Sequence, residues 1–212
     1  MDKAEIVRQI ETLGLVPVVR ASSADEAMQA IDAIKAGGVN VLEITMTVPG
    51  AVRVIEKVAD KYGSDVLVGA GTVLDPETAR ACLLAGAQFI VSPALNLATI
   101  ELCHRYSAPI APGVLTPTEA FDALDAGAAG LKFFPASLLG PGGLSALMAV
   151  LPKGTVVGAV GGVGPDNMAD YVRAGVRTFG LGTAVYRPGD SAAAVREKAR
   201  GLIAAYDSAI GA

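Results

Sequence analysis

Short apolar runs rich in valine, isoleucine and leucine alternate along the chain with longer stretches whose apolar residues recur at helical spacing. That alternation is the pattern of βα units around a parallel sheet. It predicts eight strands, over 16–20, 41–46, 66–73, 89–94, 109–115, 130–136, 155–163 and 178–186. An additional amphipathic helix is predicted before the first of them.

A weak internal repeat supports the count. Ala36-Gly37, Ala85-Gly86, Ala126-Gly127 and Ala174-Gly175 each close a helical stretch just before a strand, at spacings of 49, 41 and 48 residues. Each pair reads as a helix end capped by its glycine, and each spacing holds two βα units. Such regularity suits a closed barrel better than a doubly wound sheet with a topological switch point. The expected fold is α/β: a single (β/α)8 TIM barrel over residues 1–212 with an extra N-terminal helix. An open Rossmann-like sheet is the alternative, although Gly69-Ala70-Gly71-Thr72 lacks the following glycine of a dinucleotide fingerprint.

Composition narrows the function classes. The chain is 52% hydrophobic, with 25 glycines, 12 prolines and no tryptophan, which suits one tightly packed domain with many short turns. A net charge of −4 argues against a basic nucleic-acid footprint or a polybasic membrane patch, so an anionic ligand needs a local site. Cys82 and Cys103 fall in helical segments without metal or redox spacing and read as buried, reduced thiols. No apolar run approaches membrane-spanning length, and the charged start is unlike a signal peptide, which makes the cytoplasm the default address. The single histidine, His104, reads as a surface helix residue, and the absence of clustered carboxylates disfavours a catalytic metal. Neither a metal nor an organic cofactor is expected.

Active sites of such barrels occupy the C-terminal face, so polar residues near the ends of apolar strands are the first candidates. In Gly130-Leu131-Lys132-Phe133-Phe134, strand alternation puts Lys132 and Phe134 on one face and the other two side chains on the opposite one. The segment Val41-Leu42-Glu43-Ile44-Thr45 has the same grammar, so Glu43 and Lys132 point toward one interior. An unpaired buried charge is very costly, and the two are expected to face each other directly or through a water. A lysine at its ordinary pKa has only about one amine in 2,500 free at pH 7, whereas desolvation by three pH units raises that to roughly one in four. The interior can thus supply a nucleophile, though an ionised Glu43 pushes the other way; apolar walls such as Phe134, or a carboxylate held at a distance, would resolve the conflict. A structural ion pair is the bland alternative.

Thr72, at the end of the small-residue run from Gly69, can donate to a carboxylate, and Arg20 at the end of the first strand offers a fork for a carboxylate or phosphate. The glycine-rich rims at Gly161-Gly162 and at Gly182-Thr183 follow the last two strands, where such barrels recurrently cradle phosphate on backbone N–H groups.

Leu42-Glu43-Ile44-Thr45, Gly69-Ala70-Gly71-Thr72, Phe89-Ile90-Val91-Ser92-Pro93, Leu131-Lys132-Phe133-Phe134-Pro135 and Gly161-Gly162 together resemble the 2-keto-3-deoxy-6-phosphogluconate (KDPG) aldolase family, over nearly the whole chain. That family includes 4-hydroxy-2-oxoglutarate (KHG) and 2-keto-3-deoxy-6-phosphogalactonate (KDPGal) aldolases. The resemblance implies a Schiff-base lyase in which Lys132 forms the imine and Glu43 is the general acid and base. It implies a carboxylate site at Thr72 and Arg20, phosphate contacts from Gly161, Gly162, Gly182 and Thr183, and a pocket shaped by Pro93 and Phe134. Some relatives carry an arginine four residues after the glutamate, where this chain has Thr47, and a threonine before the paired glycines, where it has Val160. Arg20 compensates for the former in the branch the chain looks closest to. The expected activity is cleavage of KDPG to pyruvate and glyceraldehyde 3-phosphate, with KHG as a second substrate. KDPGal cleavage is the alternative, with a phosphosugar isomerase or epimerase, or a silent phosphosugar-binding protein, as more distant ones. The resemblance also implies a homotrimer.

Overall fold

The computed structural model describes residues 1–211. After α1 (Lys3–Leu13) come β1 (Leu15–Val19), α2 (Ala24–Ala36), β2 (Val41–Thr45), α3 (Ala51–Tyr62), β3 (Leu67–Gly71), α4 (Pro76–Leu84) and β4 (Phe89–Val91). The second half holds α5 (Leu97–Arg105), β5 (Ile110–Ala111), β6 (Gly113–Val114), α6 (Pro117–Asp125), β7 (Leu131–Phe133), α7 (Ala136–Met148), β8 (Val157–Val160), α8 (Met168–Arg173), β9 (Thr178–Leu181) and α9 (Ala192–Ile210). The strands form one parallel sheet in the order β5-β4-β3-β2-β1-β9-β8-β7-β6.

The predicted fifth strand is therefore two segments. Pro112 divides it, because proline has no N–H for the ladder. β5 bonds to β4 and β6 to β7, so the two ends of the sheet order meet across one proline and the sheet curls into a nearly closed barrel. The Pro112 carbonyl still accepts from Lys132 N at 3.0 Å, which ties the break to the strand that carries the lysine. The open Rossmann-like alternative is thereby set aside.

Most helices start where side-chain oxygens can satisfy free N–H groups: Asp2, Ser23, Asp75, Asn96, Thr116 and Ser191 each accept a bond from the first turn. Each such cap stabilises its helix by about 1 kcal/mol. At three of the four repeat ends the left-handed residue is the predicted glycine: Gly86, Gly127 and Gly175. At the first the position shifts by one. Gly38 takes the positive φ while Gly37 is right-handed, and a glycine is required at 37 for a different reason: a Cβ there would stand 2.6 Å from that of Ala199 on α9.

Alternation along the strands sends residues to two cores. Outward-facing Leu42, Ile44, Val68, Ile90, Leu131, Phe133 and Phe179 pack under the helices in the main cluster. Inward-facing Val16, Val41, Leu67, Phe89 and Val91 form a second cluster with Ile6 and Ile10 of α1. Because four of those five residues lie in the first half of their strands, α1 lies across the N-terminal mouth of the barrel. Higher in the barrel, the inward positions of β3, β8 and β9 are Gly69, Gly71, Gly158 and Gly180. Layers of branched side chains usually fill such an interior; here Phe89 fills the space over Gly69, Glu43 that over Gly71 and Val160 that over Gly180, and a cavity remains beside Gly158.

Candidate active site

That cavity, of about 90 Å³, reaches from Val7 and Ile10 of α1 past Val16, Phe89 and Val91 to Glu43 and Lys132. β2 and β7 carry the two charged residues inward, as their alternation predicted, and both are buried, at 2% and 3% exposure. They do not form a contact ion pair: among the described residues the ion pairs within 4 Å lie elsewhere, on the surface. Lys132 Nζ instead sits 4.9 Å from the centroid of the Phe134 ring, and Glu43 Oε1 has no hydrogen-bond partner.

Burial is the dominant force on both groups. It pushes the Lys132 amine below its ordinary pKa, against the opposing charge of Glu43 and with help from the positive charge of Arg20. It pushes the Glu43 carboxyl above its ordinary value, against the charges of Lys132 and Arg20. Both groups shift toward their neutral forms, as desolvation without a contact partner requires. The carboxylate makes no contact with the amine and the nearby walls are largely apolar, an arrangement that favours the neutral amine.

A second cavity, of about 460 Å³, opens at the C-terminal rim. Its walls bring together Arg20, Phe134, Gly161, Gly162, Gly182 and Thr183, with Asp166, Asn167 and Arg187 beside them. Val160 and Gly180 line both cavities, which therefore lie next to each other. The paired glycines have φ of 90° and 81°, a region that disfavours any side chain. A Cβ on Gly162 would stand 2.6 Å from that of Ser137, whose own N–H donates to Gly161 O at 3.1 Å. Asn167 completes the brace: its Nδ2 donates to Gly162 O at 2.8 Å while its Oδ1 accepts from Gly164 N at 2.9 Å. The cradle is thus loop backbone held from both sides, leading into the short α8.

Thr47, Thr72 and Pro93 line neither cavity. Thr72 follows β3 directly, has φ of 54°, and points a buried Oγ1 that finds no partner. A β-branched residue in that region is strained, by about 1–3 kcal/mol. Thr47 is exposed, with its hydroxyl 2.6 Å from that of Thr45, which donates to Val19 O at 3.0 Å. The Pro93 carbonyl packs on Gly113, beside the break at Pro112. The segment from Gly158 to Asn167 reads in the sequence as a glycine-rich rim, but the brace formed by the Asn167 side chain was not legible in it. Sequence reasoning missed Arg187, which nothing local marks. His104 is exposed on α5, and the thiols of Cys82 and Cys103 are buried and pushed up to about 11 and about 12. No helix among the described residues is long and apolar enough to cross a membrane.

A buried, deprotonatable lysine beside a carboxyl, opening onto an arginine-bearing glycine cradle, can attack a ketone and hold an anionic substituent some distance away. Comparison with known proteins agrees. The family model for KDPG and KHG aldolases matches residues 6–193. The probable 2-dehydro-3-deoxy-6-phosphogalactonate aldolase of Rhizobium meliloti is 42% identical, covering 93% of each chain. The 2-dehydro-3-deoxy-phosphogluconate aldolase of Treponema pallidum is 36% identical over 89% of each. A solved native KDPGal structure superposes with a TM-score of 0.91 at 40% identity, covering 94% of this chain and 97% of the other. Sequence, fold and site converge: the chain belongs to the KDPG and KHG aldolase family of carbon–carbon lyases.

Proposed function

We propose that the chain cleaves 2-keto-3-deoxy-6-phosphogalactonate to pyruvate and glyceraldehyde 3-phosphate through a Schiff base on Lys132. The observation that carries the chemistry is the buried Lys132 amine, depressed in pKa and sharing a cavity with Glu43. The sequence alone ranked the gluconate epimer first. The order is reversed here, because relatives named for the galactonate are 42% and 40% identical and the gluconate aldolase from Treponema pallidum is 36% identical.

In this reading neutral Lys132 attacks the C2 ketone, and loss of water leaves a protonated imine that acts as an electron sink. Glu43, directly or through a water, takes the proton of the C4 hydroxyl as the C3–C4 bond breaks. Glyceraldehyde 3-phosphate departs and an enamine of pyruvate remains; protonation at C3 and hydrolysis free pyruvate and the lysine. Thr72 and Arg20 take the substrate carboxylate, the unpartnered Thr72 hydroxyl being the free donor. Gly161, Gly162, Gly182 and Thr183 hold the phosphate, and Phe134 shapes the pocket between them and Lys132. The cradle contributes through orientation. A cytoplasmic homotrimer completes the reading, tested by sedimentation equilibrium for the subunit count and by cell fractionation for the address.

Borohydride reduction with pyruvate is expected to leave a reduced pyruvyl adduct on Lys132 and none on Lys132→Ala. An unmodified wild-type lysine would falsify the imine. A lactate dehydrogenase-coupled assay on the galactonate, gluconate and hydroxyglutarate substrates tests the preference, with the highest kcat/KM expected for the galactonate. A higher value for either other substrate overturns that choice while leaving the imine intact.

A further inference from the structure

The cradle straddles a seam. Arg20 stands on the loop after β1, while Gly182, Thr183 and Arg187 stand on the loop after β9. The β1–β9 ladder pairs Leu15 with Phe179, Val16 with Gly180 and Pro17 with Leu181, and goes no further. Toward the rim, then, the two loops leave the ladder just where their positions must agree.

One carboxylate joins them there. Glu26, in the first turn of α2, accepts at Oε2 from Ser22 N at 2.9 Å and from the Ser22 hydroxyl. At Oε1 it accepts from Tyr186 Oη at 2.5 Å and from Gly189 N at 3.1 Å. Four donors converge, two from each loop, and they hold the Glu26 carboxyl down to about 2. Glu119 shows what a carboxylate in the same place on a helix does when it serves only its own end: it accepts from Leu115 N, Thr116 N and the Thr116 hydroxyl, all local. Ser23 and Glu26 have the same spacing as Thr116 and Glu119, yet Glu26 also reaches across 160 residues. Helix capping does not account for that reach.

The far loop is itself stiff. Tyr186 is buried; Arg187 N donates to Asp190 Oδ2 at 2.8 Å, and Arg187 Nε donates to Thr183 O at 3.3 Å. A tether at Tyr186 and Gly189 therefore places Thr183 and Arg187 together, as a unit.

We infer that Glu26 is a positioning residue for the phosphate end of the substrate, clasping the loop after β9 onto the loop after β1 so that the cradle is formed before a ligand arrives. The inference rests on the proposed function for the identity of the substrate, while the preformed anion cradle is a property of the structure alone. Preorganised donors bind more tightly because the ligand need not order them.

The test is Glu26→Gln, which keeps the shape but turns one –NH2 toward two donors, with Tyr186→Phe as a milder second variant. For Glu26→Gln, KM for the phosphorylated substrate is expected to rise roughly tenfold with kcat little changed, as lost positioning of a remote group predicts. Tyr186→Phe is expected to move KM the same way by less, and the double variant no further than Glu26→Gln. Borohydride trapping by pyruvate, which has no phosphate, is expected to be unchanged in both. Calorimetric titration with inorganic phosphate gives the readout without turnover, and its dissociation constant is expected to weaken in parallel. A lowered Tm with unchanged KM and phosphate affinity would reduce the clasp to a structural tie and overturn the inference. So would equal losses for 4-hydroxy-2-oxoglutarate and the phosphorylated substrate. Failure of the wild type to cleave any of the three substrates would sink the proposed function instead, and the phosphate titration would still decide the clasp.

Discussion

The carboxylate of Glu43 lies on the bare Cα of Gly71: a Cβ at that position would stand 1.7 Å from Glu43 Oε1. β2 and β3 pair with Thr45 opposite Gly71, which brings this glycine beside the carboxylate inside the barrel. The glycines of the small-residue run from Gly69 to Gly71 make room for the protein's own groups, Phe89 at Gly69 and Glu43 at Gly71.

Gly71→Ala is therefore expected to displace Glu43 and to destabilise the fold by about 1–3 kcal/mol, the usual range for overpacking a tight interior. Turnover should fall far more than borohydride trapping, since Lys132 is on another strand. Urea unfolding read beside the two activities checks this, and unchanged turnover would remove the contact from any functional account.

Removing the carboxylate's charge acts on the lysine with a definite sign. Glu43 raises the Lys132 pKa against the larger lowering by burial, so Glu43→Gln leaves burial and Arg20 less opposed. The acid limb of the pyruvate trapping rate is expected to move to lower pH in Glu43→Gln. Exchange of the pyruvate methyl protons is expected to drop by about 10²–10⁴, the usual contribution of a positioned general base. A limb moving to higher pH would mean that Glu43 does not set the charge state of the amine.

Thr72 combines backbone strain with an unpartnered hydroxyl. Thr72→Gly is expected to relieve the strain, giving a Tm no lower than wild type, because the gain offsets the greater freedom of glycine in the unfolded chain. Its KM for pyruvate in trapping should rise about tenfold, equivalent to one charge-assisted hydrogen bond of about 1.4 kcal/mol. A lower Tm with normal KM would assign the residue to structure.

Glu26 also fixes an acid limb of stability. Its folded pKa, about 2, lies below the ordinary 4.5, so the unfolded chain takes up a proton first. Its contribution is complete above about pH 4.5 and is lost as pH falls toward 2. The stability gap between wild type and Glu26→Gln should accordingly be constant above that window and narrow within it. A gap that widens on acidification contradicts the assignment.

The period-2 pattern around Glu43 and Lys132 was enough to send both inward, and the alternation of apolar runs with helical stretches was enough for the barrel. Strand ends were less legible. The runs 130–136 and 155–163 continue as apolar or glycine residues past Phe133 and Val160, where the backbone leaves the ladder for the rim. Pro112 did carry its own warning, since a residue without an N–H interrupts a central strand. Arg187 and Glu26 were invisible because their partners are distant in sequence: the Glu26–Tyr186 contact depends on how β1 meets β9, which no local spacing encodes. The separation of Glu43 from Lys132 likewise depends on the side-chain volumes around them rather than on either strand alone.

With α1 seated across the N-terminal end of the barrel, the proposed pathway runs through the C-terminal rim. In the proposed mechanism the keto-acid half is held on Lys132 and the phosphorylated half toward the rim cavity that Arg20 and Gly162 line. On that reading release is ordered: the aldehyde leaves before the three-carbon remnant, and synthesis in reverse loads pyruvate first.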